Sequence, residues 1–393
     1  MAKYPRVREQ HIAVFGESGS GKTVLVSSFF GPTQEGSYAN DLWDLIADDT
    51  GQGNRLYRNF LGMRDHATTP PTTHFASTTY YFSVKLKGNN NGKQPFDVLR
   101  LAWHDYPGEW FTESPSSEEE GNRRVDTFRS LLRSDVAFFL VDGQKLKDYE
   151  GEEERYLKSL FTNFRQGLLR LKDDLLDGED RLVEFPRIWI IALSKADLFP
   201  EWDVHAFRDL LTWKAADDID RLRKTVEEFV ETPQALSVGE DFMLLSSAKF
   251  ELSKAGPAPV GIDVTQRVGL DLILPVAALL PLERRIQWHA QMEIPRKVLD
   301  SLADGAETLA EALLGGKVTV PAAFLAKLPK AGPLAALATM PALAKVAKLA
   351  GGQVKEINAK AREDHDYLTA MLTQFKLDLD AGVTDKLFIR SLK

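Results

Sequence analysis

Eight consecutive residues, Gly16-Glu17-Ser18-Gly19-Ser20-Gly21-Lys22-Thr23, have the types and spacing to hold a polyphosphate. The pattern is G-x-x-x-x-G-K-[ST]. Its glycines let the chain curl so that successive backbone N–H groups face phosphate oxygens; its lysine reaches the β- and γ-phosphates, and its threonine hydroxyl binds Mg²⁺. Such a loop works between a strand that fixes it and a helix whose N-terminus adds positive potential. His11–Phe15 reads as that strand and Thr23–Phe30 as that helix. A nucleoside-triphosphate site is expected here.

Further motifs supply the rest of such a site. Asp105-Tyr106-Pro107-Gly108 follows an alternating strand, Phe96–His104. A carboxylate there lies beside the phosphate loop and can hold Mg²⁺ through water. The Gly108 N–H can bond the γ-phosphate, so its loss on hydrolysis would release the loop. Ser194-Lys195-Ala196-Asp197 follows the apolar run Ile188–Leu193. An aspartate at that point accepts from N1–H and the exocyclic amine of guanine, whereas adenine would leave the carboxylate unpaired. Lys195 can lay its stem along the base. Ser246-Ser247-Ala248-Lys249 follows Phe242–Leu245, where the Ala248 N–H can bond the guanine O6. In this order, each after a strand, the motifs point to GTP and GDP rather than ATP.

These residues need a scaffold that gathers strand ends. Val136–Val141, Ile188–Leu193 and Phe242–Leu245 are short apolar runs bounded by polar residues, as interior strands of a covered sheet are. Phe75–Lys87 and Phe96–His104 alternate, and the Gly88–Gly92 connection makes them an antiparallel pair. Leu157, Leu160, Phe161, Phe164 and Leu168 form a helical stripe, and Val226, Phe229 and Val230 suggest another. Residues 31–73 are polar and turn-rich and read as long loops with some helix. The expected fold is α/β: a mostly parallel sheet with one antiparallel strand and helices on both faces, plus a mainly helical C-terminal region.

Composition narrows the function. The chain has 393 residues, 57 acidic against 49 basic side chains, and no cysteine. A disulfide framework, a thiolate zinc site and a cysteine nucleophile are therefore excluded. The histidines show no metal-ligand spacing. A net charge of −8 argues against bulk capture of nucleic acid, and no specific nucleic-acid partner is expected. Met1–Gln10 does not read as a targeting signal, and no run reaches the ~18 apolar residues of a membrane span. A cytoplasmic protein is the expectation. Composition shifts after residue 262, giving expected regions 1–262, carrying the nucleotide motifs, and 263–393, mostly helical. Within the second, Glu356–Asp380 is amphipathic, with Leu368, Met371, Leu372, Phe375 and Leu379 on one face. Residues 303–350 hold 15 Ala and 9 Leu, and every charge from Lys317 to Ala350 is positive. Low-bulk alanine favours close helix packing over the sheet, while Lys317, Lys327, Lys330, Lys345 and Lys348 also fit peripheral contact with an anionic membrane surface.

With the motifs in place, residues 8–260 resemble a P-loop GTPase of the translation-factor/Ras-like (TRAFAC) class. His104–Trp110 in particular resembles the bacterial YcjX-like and related double-GTPase families. The resemblance implies Mg²⁺-dependent hydrolysis of GTP to GDP and phosphate, with Lys22, Gly108 and Glu109 at the reaction. Guanine-nucleotide contacts would come from Gly16 through Thr23 and from Ser194, Lys195, Asp197, Ser247, Ala248 and Lys249. Mg²⁺ would be held by Thr23, Asp105 and a threonine of the loop before the second strand, for which Thr72 is the choice, with Thr73 and Thr68 behind it. Two residues depart from the family pattern. Glu109 stands where many members carry a glutamine that orients water, so slow or partner-activated hydrolysis is expected. Ser194 replaces the usual asparagine or threonine and reaches less far. Arg55, Arg58 and Arg64 are candidates for an arginine finger in cis. The leading expectation is a GTPase switch acting on a protein effector, with self-association open. The alternatives are a nucleotide-dependent scaffold or sensor with negligible hydrolysis, and a membrane-recruited GTPase.

Overall fold

Every side chain of β5 (Val136–Asp142) and β6 (Ile188–Ser194) is buried, because these strands lie mid-sheet with helices on both faces. The computed structural model describes residues 7–38, 40–71, 78–88, 98–105, 108–111, 115, 117–176, 181–182, 185–252, 259–291 and 351–391. The other strands of the main sheet are β1 (Val7–Phe15), β2 (Trp43–Ala47), β3 (Thr78–Leu86), β4 (Val98–Asp105), β7 (Asp241–Leu244) and, after the separate hairpin of β8 (Lys249–Leu252) and β9 (Pro259–Asp263), β10 (Phe388–Ile389). Their spatial order is β10-β7-β6-β5-β1-β4-β3-β2. Neighbours from β7 through β4 are parallel. β3 runs against both β4 and β2, and β10 against β7. Two strands are thus reversed rather than the one expected. The extra one is a two-residue edge strand, too short for alternation to reveal.

One face is covered by α3 (Glu118–Leu132), α5 (Glu153–Arg170) and α7 (Val204–Phe229), whose apolar stripes pack on Phe15, Phe139 and Trp189. The predicted stripe from Leu157 to Leu168 is buried there. α4 (Gly143–Asp148) and α6 (Lys172–Leu176) are short helices flanking α5. The opposite face carries α1 (Lys22–Phe30), α8 (Ile273–Gln291) and, following α9 (Gly351–Glu363), α10 (Tyr367–Thr384). α1 is apolar around most of its circumference, as a helix buried between other layers must be. Leu368, Met371, Leu372, Phe375 and Leu379 of α10 share one core with Ile12, Val14 and Phe138 of the sheet. Each such side chain contributes about 1.5–3 kcal/mol.

The described part of 263–393 therefore packs into the same core as the sheet. α8 is also pinned by charge: Arg284 pairs with Asp241 of β7, both wholly buried. Asp241 further accepts from the Ser391 N–H at 2.7 Å, tying down the chain after β10. The basic, alanine-rich segment 303–350 lies outside the described residues. Among the described residues, no helix is long and apolar enough to cross a membrane.

Residues 31–73 are more ordered than their polarity suggested. They contain β2 and α2 (Thr50–His66). Asp49 caps α2, accepting from Gln52 N at 2.7 Å. Gly51, Gly53 and Gly62 weaken helix propensity, but Phe60 and Met63 bury against the β8–β9 hairpin, and tertiary packing prevails.

Candidate nucleotide site

β1, β4, β5, β6 and β7 deliver their carboxyl ends to one edge of the sheet, the crevice where open α/β sheets take ligands. A cavity of about 700 Å³ opens there, bounded by Ser18–Leu25, the Ala67–Pro71 segment after α2, and the loops after β4, β6 and β7.

At one end lies the glycine-rich loop. Gly19 and Gly21 have φ of 82° and 89°, the left-handed region glycine adopts without strain. The Lys22 ammonium is turned along the loop, donating to Gly16 O at 2.8 Å and Glu17 O at 3.0 Å. The Thr23 hydroxyl donates to Asp105 Oδ2 at 3.2 Å, joining the start of α1 to the end of β4. Gly108 opens a short 3-10 turn, Gly108–Phe111, directly against the loop. A Cβ at that position would lie 2.2 Å from Ser18 N and 2.3 Å from Glu17 C. Only glycine permits that approach.

At the other end, Asp197 lines the cavity, its Oδ1 accepting from the Ser246 hydroxyl at 2.6 Å. Ser194, Lys195 and Ser247 line it too. The Ser194 hydroxyl donates to Val141 O at 3.3 Å. Lys195, in the left-handed region at φ 55°, places its ammonium 2.8 Å from Asp142. Ala248 is fully buried and Lys249 begins β8; neither lines the cavity.

Among the other candidates, Thr68 lines the cavity, while Thr72 and Thr73 lie outside the described residues. Glu109 is in the turn after β4, and its side chain is outside the described set. None of the three arginines lines the cavity. Arg55 donates to the Tyr80 hydroxyl at 3.1 Å, Arg64 pairs with Glu35 at 2.9 Å and Asp65 at 2.7 Å, and Arg58 is exposed on α2.

A set of residues that none of the sequence motifs includes joins the two ends. Lys145 of α4 contacts Glu17 of the glycine-rich loop at 2.7 Å, with its ammonium 5.9 Å from the Tyr156 ring centre. The Tyr156 hydroxyl accepts from Asp142 N at 2.9 Å, and the Asp142 carboxylate holds Lys195. Burial drives the Tyr156 hydroxyl far above its usual range, so it stays protonated. The available signal was Asp142 itself, an aspartate closing a buried strand as Asp105 closes β4.

Behind Asp105, His104 stacks on His11 with ring centroids 5.3 Å apart. His11 Nε2 faces Glu9 at 2.8 Å, His11 Nδ1 faces His104 Nε2 at 3.0 Å, and Thr79 Oγ1 faces His104 Nδ1 at 3.0 Å. Each contact is within hydrogen-bond distance, so Thr79, His104, His11 and Glu9 form one continuous polar chain.

A strand–glycine loop–helix unit, an Asp-x-x-Gly turn packed on it and an aspartate after a parallel strand across the cavity together define a P-loop GTPase, a GTP-binding protein. The family model for Double-GTPase 2 matches residues 10–237, more than half of the chain, and the chain belongs to that family. No curated protein matches it. Two of the solved structures it is similar to are a signal recognition particle receptor SRb-GTP/SRX complex from Chaetomium thermophilum and Era in complex with MgGDPNP and nucleotides 1506–1542 of 16S ribosomal RNA. The first is 17% identical over 62% of this chain and 93% of that one, with a TM-score of 0.31. The second is 14% identical over 74% of this chain and 70% of that one, with a TM-score of 0.24.

Proposed function

We propose that this protein hydrolyses GTP to GDP and phosphate with Mg²⁺, and that the nucleotide state sets the position of the Gly108–Phe111 turn for a protein effector. One observation carries the reading: the turn after β4 is seated on the glycine-rich loop through Gly108, with Asp105 bonded to Thr23 beside it. A γ-phosphate held by the loop is then within the same local structure as the turn. Its arrival and departure have a direct route to the turn's position.

The roles follow from chemistry. Gly16–Thr23 would cradle the phosphates and Lys22 would exchange its loop carbonyls for β- and γ-oxygens. Gly108 N–H would donate to the γ-phosphate, while Asp197, Ser194, Lys195 and Ser247 would bound the guanine. Thr23 and Asp105 fit Mg²⁺: both offer hard oxygen, and few protein ligands are needed because this ion keeps waters and takes phosphate oxygens. When bound, it would neutralise charge on the β- and γ-phosphates. Thr72 remains the proposed γ-phosphate sensor, and the Ala67–Pro71 segment leading to it borders the cavity. Glu109 would stand nearest the attacking water, and its negative charge makes intrinsic turnover slow.

Single-turnover hydrolysis by wild type, Lys22→Ala and Glu109→Gln tests the proposal. Wild type should be faster than Lys22→Ala, and Glu109→Gln faster than or equal to wild type. A wild type that binds GTP yet hydrolyses it no faster than Lys22→Ala would leave a nucleotide-dependent scaffold instead.

A further inference from the structure

A second cavity, of about 440 Å³, lies at the end of α1 far from the glycine-rich loop, between that helix, the connector into β2, and α8 and α10. Phe29, Trp43 and Phe375 give it aromatic walls; the rings of Trp43 and Phe375 meet edge-on with centroids 6.3 Å apart. Its charged groups do not cancel. Arg267 donates to Asp271 at 3.1 Å and to Ser28 O at 3.4 Å. Arg362 donates to Asp41 at 2.6 Å and to Asn358 at 2.9 Å. Each arginine is matched by one carboxylate. Asp378 is left over: among the described residues its carboxylate accepts only from the neutral Gln374 amide, at 2.8 Å. Burial, only partly offset by the Gln374 hydrogen bond, pushes the Asp378 carboxyl above the ordinary range, and Asp271 adds to the rise. That is the behaviour of an acid with no cation beside it.

We propose that this cavity binds a small organic cation, a primary ammonium or guanidinium carried on an apolar arm. The cation pairs with Asp378, and the arm lies along Trp43 and Phe375, whose ring faces attract positive charge. An anion is disfavoured because both arginines are already committed to carboxylates. A bare divalent ion is disfavoured because it needs several oxygen ligands and gains nothing from aromatic walls. The site is separate from the nucleotide cavity, and its occupancy does not depend on GTP hydrolysis.

The test is calorimetric titration of the full chain with phenethylammonium and agmatine, with 2-phenylethanol and MgCl₂ as neutral and metallic comparisons. One-to-one binding of the amines is expected, weakened about 10- to 150-fold in Asp378→Asn by loss of a charge-assisted hydrogen bond. Trp43→Leu, which keeps the carboxylate, should weaken the aryl amine by a smaller factor. Near-ultraviolet circular dichroism establishes that each variant is folded. The assignment is overturned if the amines give no binding at millimolar concentration, if 2-phenylethanol or Mg²⁺ binds as well as they do, or if folded Asp378→Asn binds them undiminished.

Discussion

Replacing Gly108 by alanine puts a methyl group into the glycine-rich loop. The added carbon would lie 2.2 Å from Ser18 N, 2.3 Å from Glu17 C and 2.8 Å from Glu17 O. Carbon needs about 3.5 Å from such atoms, so the turn and the loop must part by roughly 1 Å. All three atoms are backbone, and no rotamer change relieves the contact. Such overpacking costs about 1–3 kcal/mol. If Gly108 N–H donates to the γ-phosphate, the same separation removes a hydrogen bond worth about 0.5–1.5 kcal/mol. GDP does not use that bond.

Three readouts follow from this geometry. Urea unfolding should show the variant destabilised by about 1–3 kcal/mol. The affinity ratio of a non-hydrolysable GTP analogue to GDP should fall about 2- to 12-fold. Trp110 lies in the same turn, 8% exposed, with Arg124 donating to its carbonyl at 3.3 Å and the guanidinium 5.5 Å from its ring centre. Its fluorescence should change as the turn moves. The chain has seven tryptophans, so the signal is taken as the difference from Trp110→Phe. Wild-type stability, an unchanged Trp110 signal and an unchanged nucleotide ratio would together refute the packing of Gly108 on the loop.

Burial, and secondarily His11, push His104 down to about 4 from 6.5. The unfolded chain then binds the extra proton first, so stability present above pH 6.5 is lost as pH falls toward 4. The shift corresponds to at most about 3 kcal/mol; denaturant unfolding against pH should be flatter over that window in His104→Gln, and equal slopes would contradict the buried neutral ring. Asp241→Ala strands the buried Arg284 and should cost about 3–5 kcal/mol by urea unfolding, whereas Asp241→Leu with Arg284→Met should recover most of that loss. A chain ending at residue 262 should give no cooperative unfolding transition, because it lacks the α8 and α10 residues of the shared core. A cooperative transition would show that the sheet folds without them.

The nucleotide motifs were legible because their chemistry is local. The phosphate loop needs a fixed spacing of glycine, lysine and threonine, and Asp105 and Asp197 lie at or just past a strand end. The buried strands were equally plain, since β5 and β6 are apolar on both faces. What escaped was set by contacts distant in sequence. α2 has three glycines and a polar surface, and its helical state rests on Phe60 and Met63 meeting a hairpin some 200 residues away, as far as Ile262 and Val264. Lys145 reads as an ordinary surface lysine until the fold brings it to Glu17. Nothing in the spacing of Asp378, Trp43 and Arg267 suggests that they border one cavity.

α1 explains why residues beyond 262 bear on the nucleotide site. Its first residues, Lys22 and Thr23, belong to the phosphate loop and contact Gly16, Glu17 and Asp105. Its Leu25, Val26, Phe29 and Phe30 lie in the core that also holds Leu272, Ile273, Leu372 and Phe375. A nine-residue helix is too short to persist alone. Its alignment therefore depends on the sheet on one side and on the C-terminal helices on the other. The segment that composition set apart supplies one wall of the support for the helix that positions Lys22.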